Sequence, residues 1–357
     1  MRKVSVKDLV PGMTTAEDVY TFNNQLVLPK GIVLNDKSIT KLEFYSILSI
    51  RVEDGETAEV EKQQDLSYSE RLMNSDAYRA FVQHFDEELA DFTNEMNAIV
   101  RENAPIEPEV LLHHALNLLE DDMGFPNNVF TMLQNMRQYD DQTHAHCMNV
   151  ALICNVFARW MRMSKEDIEL ATMCGMLHDV GKLAIPDSIL RKPSKLTGDE
   201  YSVVKTHCLE GYNILKQHPI DPHIMNAALM HHERWDGSGY PLGVSGAKID
   251  KFARMVAIAD VYDAMTSARV YRGPLCPFVV IDIFESEGLQ KYDPDFYMTF
   301  MNNVVTTYLL NRVRLSNGAE GDIIFINPNH PARPTVKVGD EFIDLAMRKD
   351  LSIEAII

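Results

Sequence analysis

Several features that would place a protein in a familiar class are scarce or missing from this sequence. Its 357 residues include five cysteines, and no two of them form a C-x-x-C pair. That pattern argues against a disulfide framework or a zinc ribbon and favours reduced thiols. No run of 18 apolar residues occurs, and the N-terminus has no apolar signal core. The sequence therefore predicts neither a transmembrane helix nor a secretory signal, and we expect a cytoplasmic protein.

Basic residues are also in the minority, with 34 Lys and Arg against 52 Asp and Glu. The net charge of −18 argues against binding to polymeric nucleic acid or to an anionic membrane. Much of the acidity lies in residues 53–122, which hold 19 acidic and 4 basic residues. The rest of the chain is only mildly acidic, so a locally positive site there can still bind a small anion.

Composition divides the chain into five segments. Short apolar runs between turn residues indicate a small α+β module at the N-terminus and a short β appendage at the C-terminus. A polar linker and two helical segments lie between them, and the second helical segment holds most of the histidines. The predicted boundaries are 1–52 for the α+β module, 53–65 for the acidic linker, 66–122 for the acidic helical segment, 123–315 for the histidine-rich domain and 316–357 for the β appendage. The predicted fold class is therefore mainly α.

The acidic helical segment contains an apolar heptad. Its apolar residues are spaced alternately four and three apart: Tyr78, Val82, Phe85, Leu89, Phe92, Met96 and Ile99. This spacing predicts one apolar side on a helix whose other side is acidic. Two interpretations stay open, a helix packed on its own domain and a helix that forms a homodimer through residues 78–99. Prolines at 105 and 108 end the pattern, and a second helix is predicted from Glu109 to Glu120.

The histidine-rich domain carries three motifs with metal-binding side chains. In the first, an apolar helix ends in His178-Asp179 and continues through Gly181 to Lys182. Histidine supplies an imidazole nitrogen, and an aspartate can bridge two cations through its two oxygens. We expect Gly181 to allow a sharp turn that directs Lys182 back toward the site.

The other two motifs follow further along the chain. His231 and His232 are adjacent, so they can bind two different ions, and they precede a glycine-rich loop that ends in Tyr240-Pro241. Asp260 lies in an otherwise apolar helical run that continues to Arg272. A buried carboxylate in such a run is costly unless it is paired or binds a metal.

The motifs HDVGK, HHERWDGSGYP and DVYDAMTSARVYR, in this order, resemble those of the HD-GYP family, metal-dependent phosphodiesterases of the HD superfamily. The resemblance covers about residues 125–330, and the opening Val4–Met13 looks like the small domain often found before HD-GYP domains. It implies an all-helical catalytic domain that hydrolyses a cyclic dinucleotide, either cyclic di-GMP or cyclic GMP-AMP. The implied products are the linear 5′-phosphorylated dinucleotide and, after a second cleavage, mononucleotide.

The resemblance also implies a metal site. Two divalent transition-metal ions, iron or manganese, are expected because imidazole ligands favour such ions over magnesium. Some family members bind a third ion through a Glu four residues before the first His ligand, and Gln142 at that position argues against a third ion here. His144 is expected not to bind metal. The implied ligands are His146, His178, Asp179, His207, His231, His232 and Asp260.

Further residues match positions that act on the substrate in the family. Asp179 and Lys182 are the expected catalytic residues, with Asp179 bridging the ions. The expected substrate contacts are Lys182, Tyr240, Asp263, Arg269 and Arg272. Guanidinium groups suit a phosphate or a guanine edge. A regulatory partner such as a diguanylate cyclase is a further expectation from the family.

Two other functions compete with this interpretation. A non-catalytic receptor would bind the cyclic dinucleotide in a similar pocket but would lack metal ligands, whereas the ligand set here is complete apart from position 142. An HD-type nucleotidase would act on a mononucleotide and would lack the GYP loop and the additional histidines. Cys208, which follows His207, is interpreted as a core residue, with redox sensitivity as the alternative.

Overall fold

A computed structural model describes residues 1–20, 26–45, 47–53, 73–120, 129–136, 143–192, 194–267 and 273–357. Within those ranges, every helix is too short or too polar to cross a membrane. The helices are α1 (Asp36–Phe44), α2 (Asp76–Glu102), α3 (Pro108–Glu120), α4 (Val129–Met136), α5 (Thr143–Trp160), α6 (Lys165–Leu177), α7 (Asp187–Leu190), α8 (Gly198–Lys205), α9 (His207–Leu215), α10 (Pro222–Met230), α11 (Lys251–Thr266), α12 (Pro277–Lys291) and α13 (Pro294–Thr307). The strands are β1 (Arg2–Ser5), β2 (Val19–Tyr20), β3 (Leu26–Leu28), β4 (Ser49–Val52), β5 (Arg312–Leu315), β6 (Glu320–Phe325), β7 (Thr335–Val338), β8 (Glu341–Asp344) and β9 (Ile353–Ile356). The predicted fold class, mainly α with small β elements, is confirmed.

The chain forms two compact units. The first joins Met1–Asn74 to Tyr308–Ile357, and the second is Ser75–Thr307. In the first unit β1 pairs antiparallel with β4, and β2 pairs antiparallel with β3. A five-stranded antiparallel sheet has the order β8-β7-β6-β5-β9. Helix α1 begins at Asn35, whose side chain accepts a hydrogen bond from the Ser38 backbone N–H in a capping box.

The two ends of the chain pack together in this first unit. Phe44 at the end of α1 stacks on Phe325 of β6, with ring centroids 4.7 Å apart. Lys337 Nζ lies 3.1 Å from Glu43 Oε2. The sequence treats the α+β module and the β appendage as separate segments, whereas the structure places them in one unit. The C-terminal sheet also begins at Arg312, four residues before the predicted boundary of 316.

The second unit contains the acidic helix α2. Ser75 caps its N-terminus by accepting a hydrogen bond from the Tyr78 N–H, and Asn103 ends it in the left-handed region at φ 55°. Phe85, Phe92, Met96 and Ile99 of the heptad are buried. Helix α2 packs on α3, on α5 and on the 3-10 turn Val180–Ala184.

This burial agrees with the first interpretation of the heptad, a helix packed on its own domain. The buried residues of the apolar side of α2 are covered by helices of its own unit, and the homodimer stays a prediction. The acidic side remains exposed, as predicted, at Asp86, Glu87 and Asp91. The second helix, predicted to begin at Glu109, begins at Pro108, where a proline is tolerated in the first turn.

The core of the second unit lies around α5 and α11. Helix α5 packs closely against α6 and α11, and α11 also packs against α10. Aromatic rings fill part of this core; the cluster comprises Phe130, Phe157, Trp160, Tyr262 and Phe300. The packed helices α5, α6, α9, α10 and α11 carry the predicted metal ligands or end beside them.

Candidate metal centre

A close helix crossing brings the first two predicted ligands together. A Cβ atom at Gly175 of α6 would lie 2.9 Å from the Val150 carbonyl oxygen of α5, so only glycine allows this approach. His146 of α5 and His178 at the end of α6 consequently lie with their ring centroids 5.2 Å apart. Asp179 follows His178 directly and is buried.

A second close approach brings Asp179 to His207. A Cβ atom at Gly181 would lie 1.9 Å from the His207 carbonyl oxygen and 2.4 Å from the Gly211 nitrogen. The backbone of Gly181 does not adopt a positive φ. The sequence prediction of a sharp turn therefore gives the wrong reason for this glycine, which is needed because the 3-10 turn passes directly over α9. Lys182 on the same turn does reach back, as predicted, and its Nζ contacts Asp179 Oδ2.

Asp179 lies between two sets of imidazoles. Its Oδ1 is 3.3 Å from His207 Nε2 and 3.6 Å from His231 Nε2. Its Oδ2 is 3.3 Å from His178 Nε2 and 3.6 Å from His146 Nε2. Each carboxylate oxygen thus faces a different pair of histidines, which is the arrangement that a bridging ligand of two ions requires.

Asp260 of α11 completes the cluster. Its Oδ1 is 3.1 Å from His146 Nε2 and 4.0 Å from His178 Nε2, and its Oδ2 is 3.9 Å from His232 Nδ1. All seven predicted ligands are therefore brought together. Together with Cys208, their ligand atoms fall into three groups with spacings suitable for a metal ion: His146, His178 and Asp260; His178, Asp179 and His231; and His207, Cys208, His231 and His232.

Backbone carbonyls orient three of these imidazoles. A carbonyl oxygen can only accept, so each of these Nδ1 atoms carries the proton and leaves Nε2 with a free lone pair. The bonds run from His178 to the Gly175 oxygen (2.7 Å), from His207 to the Val204 oxygen (2.6 Å) and from His231 to the Ala228 oxygen (3.0 Å). Helix-terminal carbonyls thereby fix the tautomer that a metal ligand needs.

His146 is oriented by Asp263 instead. Asp263 Oδ2 lies 2.7 Å from His146 Nδ1, and its Oδ1 accepts from Asn149 Nδ2 at 3.2 Å and from Ser267 Oγ at 3.2 Å. The sequence groups Asp263 with the substrate contacts. The structure places its buried carboxylate behind the imidazole, where it positions His146; its contact with substrate stays a prediction.

Both central carboxylates are ionised. Burial alone would raise the pKa of Asp179, but the Lys182 ammonium and the His178 imidazole hold that pKa well below its usual range. Burial would likewise raise the pKa of Asp260, and its hydrogen bond with His146 instead keeps it well below the usual range. The site therefore presents two negative charges at neutral pH.

The imidazoles divide by charge. Burial alone would lower the pKa of His146, but hydrogen bonds with Asp260 and Asp263 raise it to about 9. Burial lowers the pKa of His207 to about 4, despite the neighbouring Asp179. At neutral pH His207 is ready to bind a cation, whereas His146 must first release its Nε2 proton.

The buried polar atoms of this cluster fit a metal centre. Among the described residues, His178 Nε2 and Asp179 Oδ1 are buried without a hydrogen-bond partner. Such unpaired atoms are costly in a protein core. A divalent cation would satisfy both, since one is an imidazole lone pair and the other a carboxylate oxygen. His144, predicted not to bind metal, lies edge-on to Phe92 and belongs to none of the metal groups in the described part of the chain.

The loop that ends in Tyr240 borders the cluster on one side. The Tyr240 ring stacks on His232 with centroids 4.7 Å apart. Lys205 Nζ lies 5.6 Å from the Tyr240 centroid and 5.2 Å from that of Tyr201. The half-buried Tyr240 thus lies beside the site, and the half-buried Lys205, which was not among the predicted site residues, lies over its ring.

Glu233 anchors this loop, a role that the sequence did not reveal. Its Oε1 accepts hydrogen bonds from the backbone N–H groups of Leu242 (2.6 Å) and Gly243 (3.2 Å). A Cβ atom at Gly239 would lie 2.4 Å from the His232 carbonyl oxygen, so the loop passes directly over the histidine pair. Glu233 and Gly239 therefore both hold the loop close to the histidine pair.

Three predicted residues lie outside the described ranges: Gln142, Arg269 and Arg272. Their predicted roles, in a third metal site and in substrate binding, are neither supported nor opposed by the structure.

Comparison with known proteins agrees with this geometry. The HD domain family matches residues 127–296. The chain is 32% identical over 231 residues to a cyclic di-GMP phosphodiesterase of Pseudomonas aeruginosa, covering 63% of this chain and 55% of that protein. It is 37% identical over 176 residues to a cyclic di-GMP phosphodiesterase of Thermotoga maritima, covering 48% of each. It is also 39% identical over 170 residues to a 3′3′-cGAMP-specific phosphodiesterase of Vibrio cholerae, covering 47% of this chain and 39% of that protein.

The chain thus spans between 39% and 55% of the length of these relatives. A solved structure of an HDG"Y"P protein from Bdellovibrio bacteriovorus has the same fold, with a TM-score of 0.51 at 13% identity over 85% of this chain and 99% of that one. The resemblance drawn from the sequence is therefore confirmed at the level of the HD domain, which the family model matches over residues 127–296.

Proposed function

We propose that this chain hydrolyses a phosphodiester bond of a cyclic dinucleotide with the help of two divalent metal ions. The observation that carries the proposal is the position of Asp179, whose two oxygens face different histidine pairs at 3.3–3.6 Å. The substrate class is indicated by the names of the relatives of this chain, cyclic di-GMP phosphodiesterase and 3′3′-cGAMP-specific phosphodiesterase. A receptor without activity would have no use for so complete a ligand set.

The ligands divide between the two proposed ions. One ion would be held by His146, His178 and Asp260, the other by His207, His231 and His232, and Asp179 would be shared. When bound, two such ions supply an activated water and neutralise charge on the phosphoryl oxygens. Iron or manganese suits this imidazole-rich set, and Gln142 argues against a third ion.

Lys182 lies beside the Asp179 carboxylate and would stabilise negative charge on the phosphate during the reaction. Its ammonium contacts Asp179 Oδ2, and its side chain is 21% exposed. A positive charge fixed at the edge of a buried cluster can pair with the phosphate as negative charge grows on it. Asp179 in turn holds Lys182 in place, so no reorganisation is needed when the substrate arrives.

The rim beside Tyr240 would hold the rest of the substrate. Tyr240 is braced from behind by His232, and Lys205 lies between the rings of Tyr240 and Tyr201. An aromatic face can stack on a guanine base, and an ammonium can pair with the second phosphate. Arg269 and Arg272 are proposed to contact phosphate or guanine as well, from the family resemblance.

Three further predictions are made, two from the same resemblance and the cytoplasmic location from the cysteine pattern and the absence of a predicted signal or transmembrane segment. The first product is the linear 5′-phosphorylated dinucleotide, and the same bond type in that product allows a second cleavage to mononucleotide. The protein acts in the cytoplasm in second-messenger signalling. A partner such as a diguanylate cyclase regulates it.

Product analysis of the purified, metal-loaded chain tests the proposal. Cyclic di-GMP and 3′3′-cGAMP are incubated separately with the Mn²⁺-loaded and Fe²⁺-loaded protein, and the products are separated by chromatography. We expect the linear dinucleotide from at least one substrate, and its loss in Asp179→Asn, which keeps the side-chain shape and removes the charge. Tight binding of either dinucleotide without turnover in any metal form would instead identify a receptor.

A further inference from the structure

A thiol belongs to the second metal group. Cys208 follows His207 in α9 and is fully buried. Its Sγ and the ligand nitrogens of His207, His231 and His232 all lie within 4.8 Å of one another. From the sequence, Cys208 is expected to be a core residue, with redox sensitivity as the alternative.

Two of the distances between these atoms can be compared with those between neighbouring ligands of one metal ion. Metal bonds of about 2.3 Å to sulfur and about 2.0–2.1 Å to nitrogen, at tetrahedral angles, place sulfur about 3.6 Å from nitrogen and two nitrogens about 3.4 Å apart. Cys208 Sγ lies 3.5 Å from His207 Nε2, and His207 Nε2 lies 3.3 Å from His231 Nε2. Both separations agree with neighbouring ligands of one ion, to which the shared Asp179 would add a fifth.

We propose that Cys208 is a ligand of the metal ion held by His207, His231 and His232. The inference rests on the proposed two-metal centre and gives its two sites different chemistry. The thiol proton passes to solvent as the metal–sulfur bond forms, with no change in oxidation state. A thiolate with three imidazoles retains thiophilic ions such as Fe²⁺ or Zn²⁺, whereas the site of His146, His178 and Asp260 offers only nitrogen and oxygen.

The competing explanation is a hydrogen bond within the core. His207 Nδ1 donates to the Val204 oxygen, so Nε2 can accept a bond from the Cys208 thiol. That bond needs no metal and leaves the sulfur protonated in the loaded protein. The two explanations therefore differ in whether sulfur is bonded to the ion.

X-ray absorption on the full chain loaded with Zn²⁺ or Fe²⁺ tests the proposal directly. We expect one sulfur for every two ions, at about 2.3 Å from the metal. With Co²⁺, we expect thiolate-to-cobalt charge-transfer absorption in the near ultraviolet that disappears in Cys208→Ser. Cys147→Ser is the matched control, because Cys147 is also buried and follows predicted ligand His146, yet it belongs to none of the metal groups among the described residues.

The outcomes separate this inference from the proposed function. Metal bound without sulfur, or a cobalt spectrum unchanged in Cys208→Ser, would overturn the thiolate ligand and leave the phosphodiesterase proposal intact. Failure of the wild-type chain to bind metal would overturn both. If Cys208→Ser does not fold, the sulfur count in the wild-type protein decides alone.

Discussion

Gly181→Ala is expected to disrupt the metal centre without altering any ligand. The added methyl group would lie 1.9 Å from the His207 carbonyl oxygen and 2.4 Å from the Gly211 nitrogen. Real Cβ contacts are essentially never shorter than 3.0 Å. Because both obstacles are backbone atoms in a packed core, the 3-10 turn and α9 must separate by about 1 Å.

Moving the 3-10 turn away from α9 would displace Asp179, the ligand shared by the two proposed ions. Asp179 precedes the glycine on one side of the contact, and His207 lies on the other, with Oδ1 and Nε2 only 3.3 Å apart. A displacement of about 1 Å in a catalytic group can cost about 100-fold in rate. Overpacking of this kind also lowers the free energy of unfolding by about 1–3 kcal/mol.

The chain offers two matched glycine controls. A Cβ atom at Gly211 would approach no neighbouring atom closer than 3.3 Å, and one at Gly198 would meet nothing within 4 Å. Metal content, thermal melting and cyclic dinucleotide hydrolysis are measured for the three alanine variants. We expect a severe loss in Gly181→Ala, a mild one in Gly211→Ala and none in Gly198→Ala. Metal content and turnover in Gly181→Ala equal to those of Gly198→Ala would refute the close-approach explanation.

Three other substitutions test separate parts of the site and fold. Asp263→Asn removes the charge behind His146 and should weaken binding of one ion by about 10- to 100-fold in a metal titration, with the other ion unaffected; equal loss of both ions would refute a role specific to His146. Lys205→Ala should raise KM for the dinucleotide while metal content stays at the wild-type level, and loss of metal would show instead that this lysine supports the fold. Replacing Phe85 and Phe92 with alanine should lower the free energy of unfolding by at least about 3 kcal/mol in chemical denaturation, because both rings are buried; unchanged stability would contradict the packing of α2.

The sequence was most informative where chemistry and periodicity coincide. Histidine and aspartate in or beside apolar runs marked His178, Asp179, His231, His232 and Asp260 as candidate ligands, because such residues are rarely buried without a partner. The complete ligand set, with His146 and His207, came from the family resemblance. The heptad of α2 predicted its buried side, since a period of 3.5 residues fixes one face of a helix. It did not decide what covers that face, because the same apolar pattern suits a helix of the same chain or of a second one.

Other features depend on contacts between residues that are distant in sequence. The stacking of Phe44 on Phe325 joins the two ends of the chain, and no local pattern marks either ring for the other. The role of Gly181 depends on α9 passing beside it, so a turn was the only explanation available from the sequence. The contact of Asp263 with His146 could not be predicted from the sequence, because it requires α11 to pack against α5.

Anomalous diffraction from crystals of the Mn²⁺-loaded or Fe²⁺-loaded protein tests the central claim most directly. We expect two metal peaks on opposite sides of the Asp179 carboxylate, about 3.5–4 Å apart as in other two-metal hydrolytic sites. One peak should be bound by His146, His178 and Asp260, and the other by His207, His231 and His232. A single ion, two ions that do not share Asp179, or a third ion coordinated by Gln142 would contradict the account.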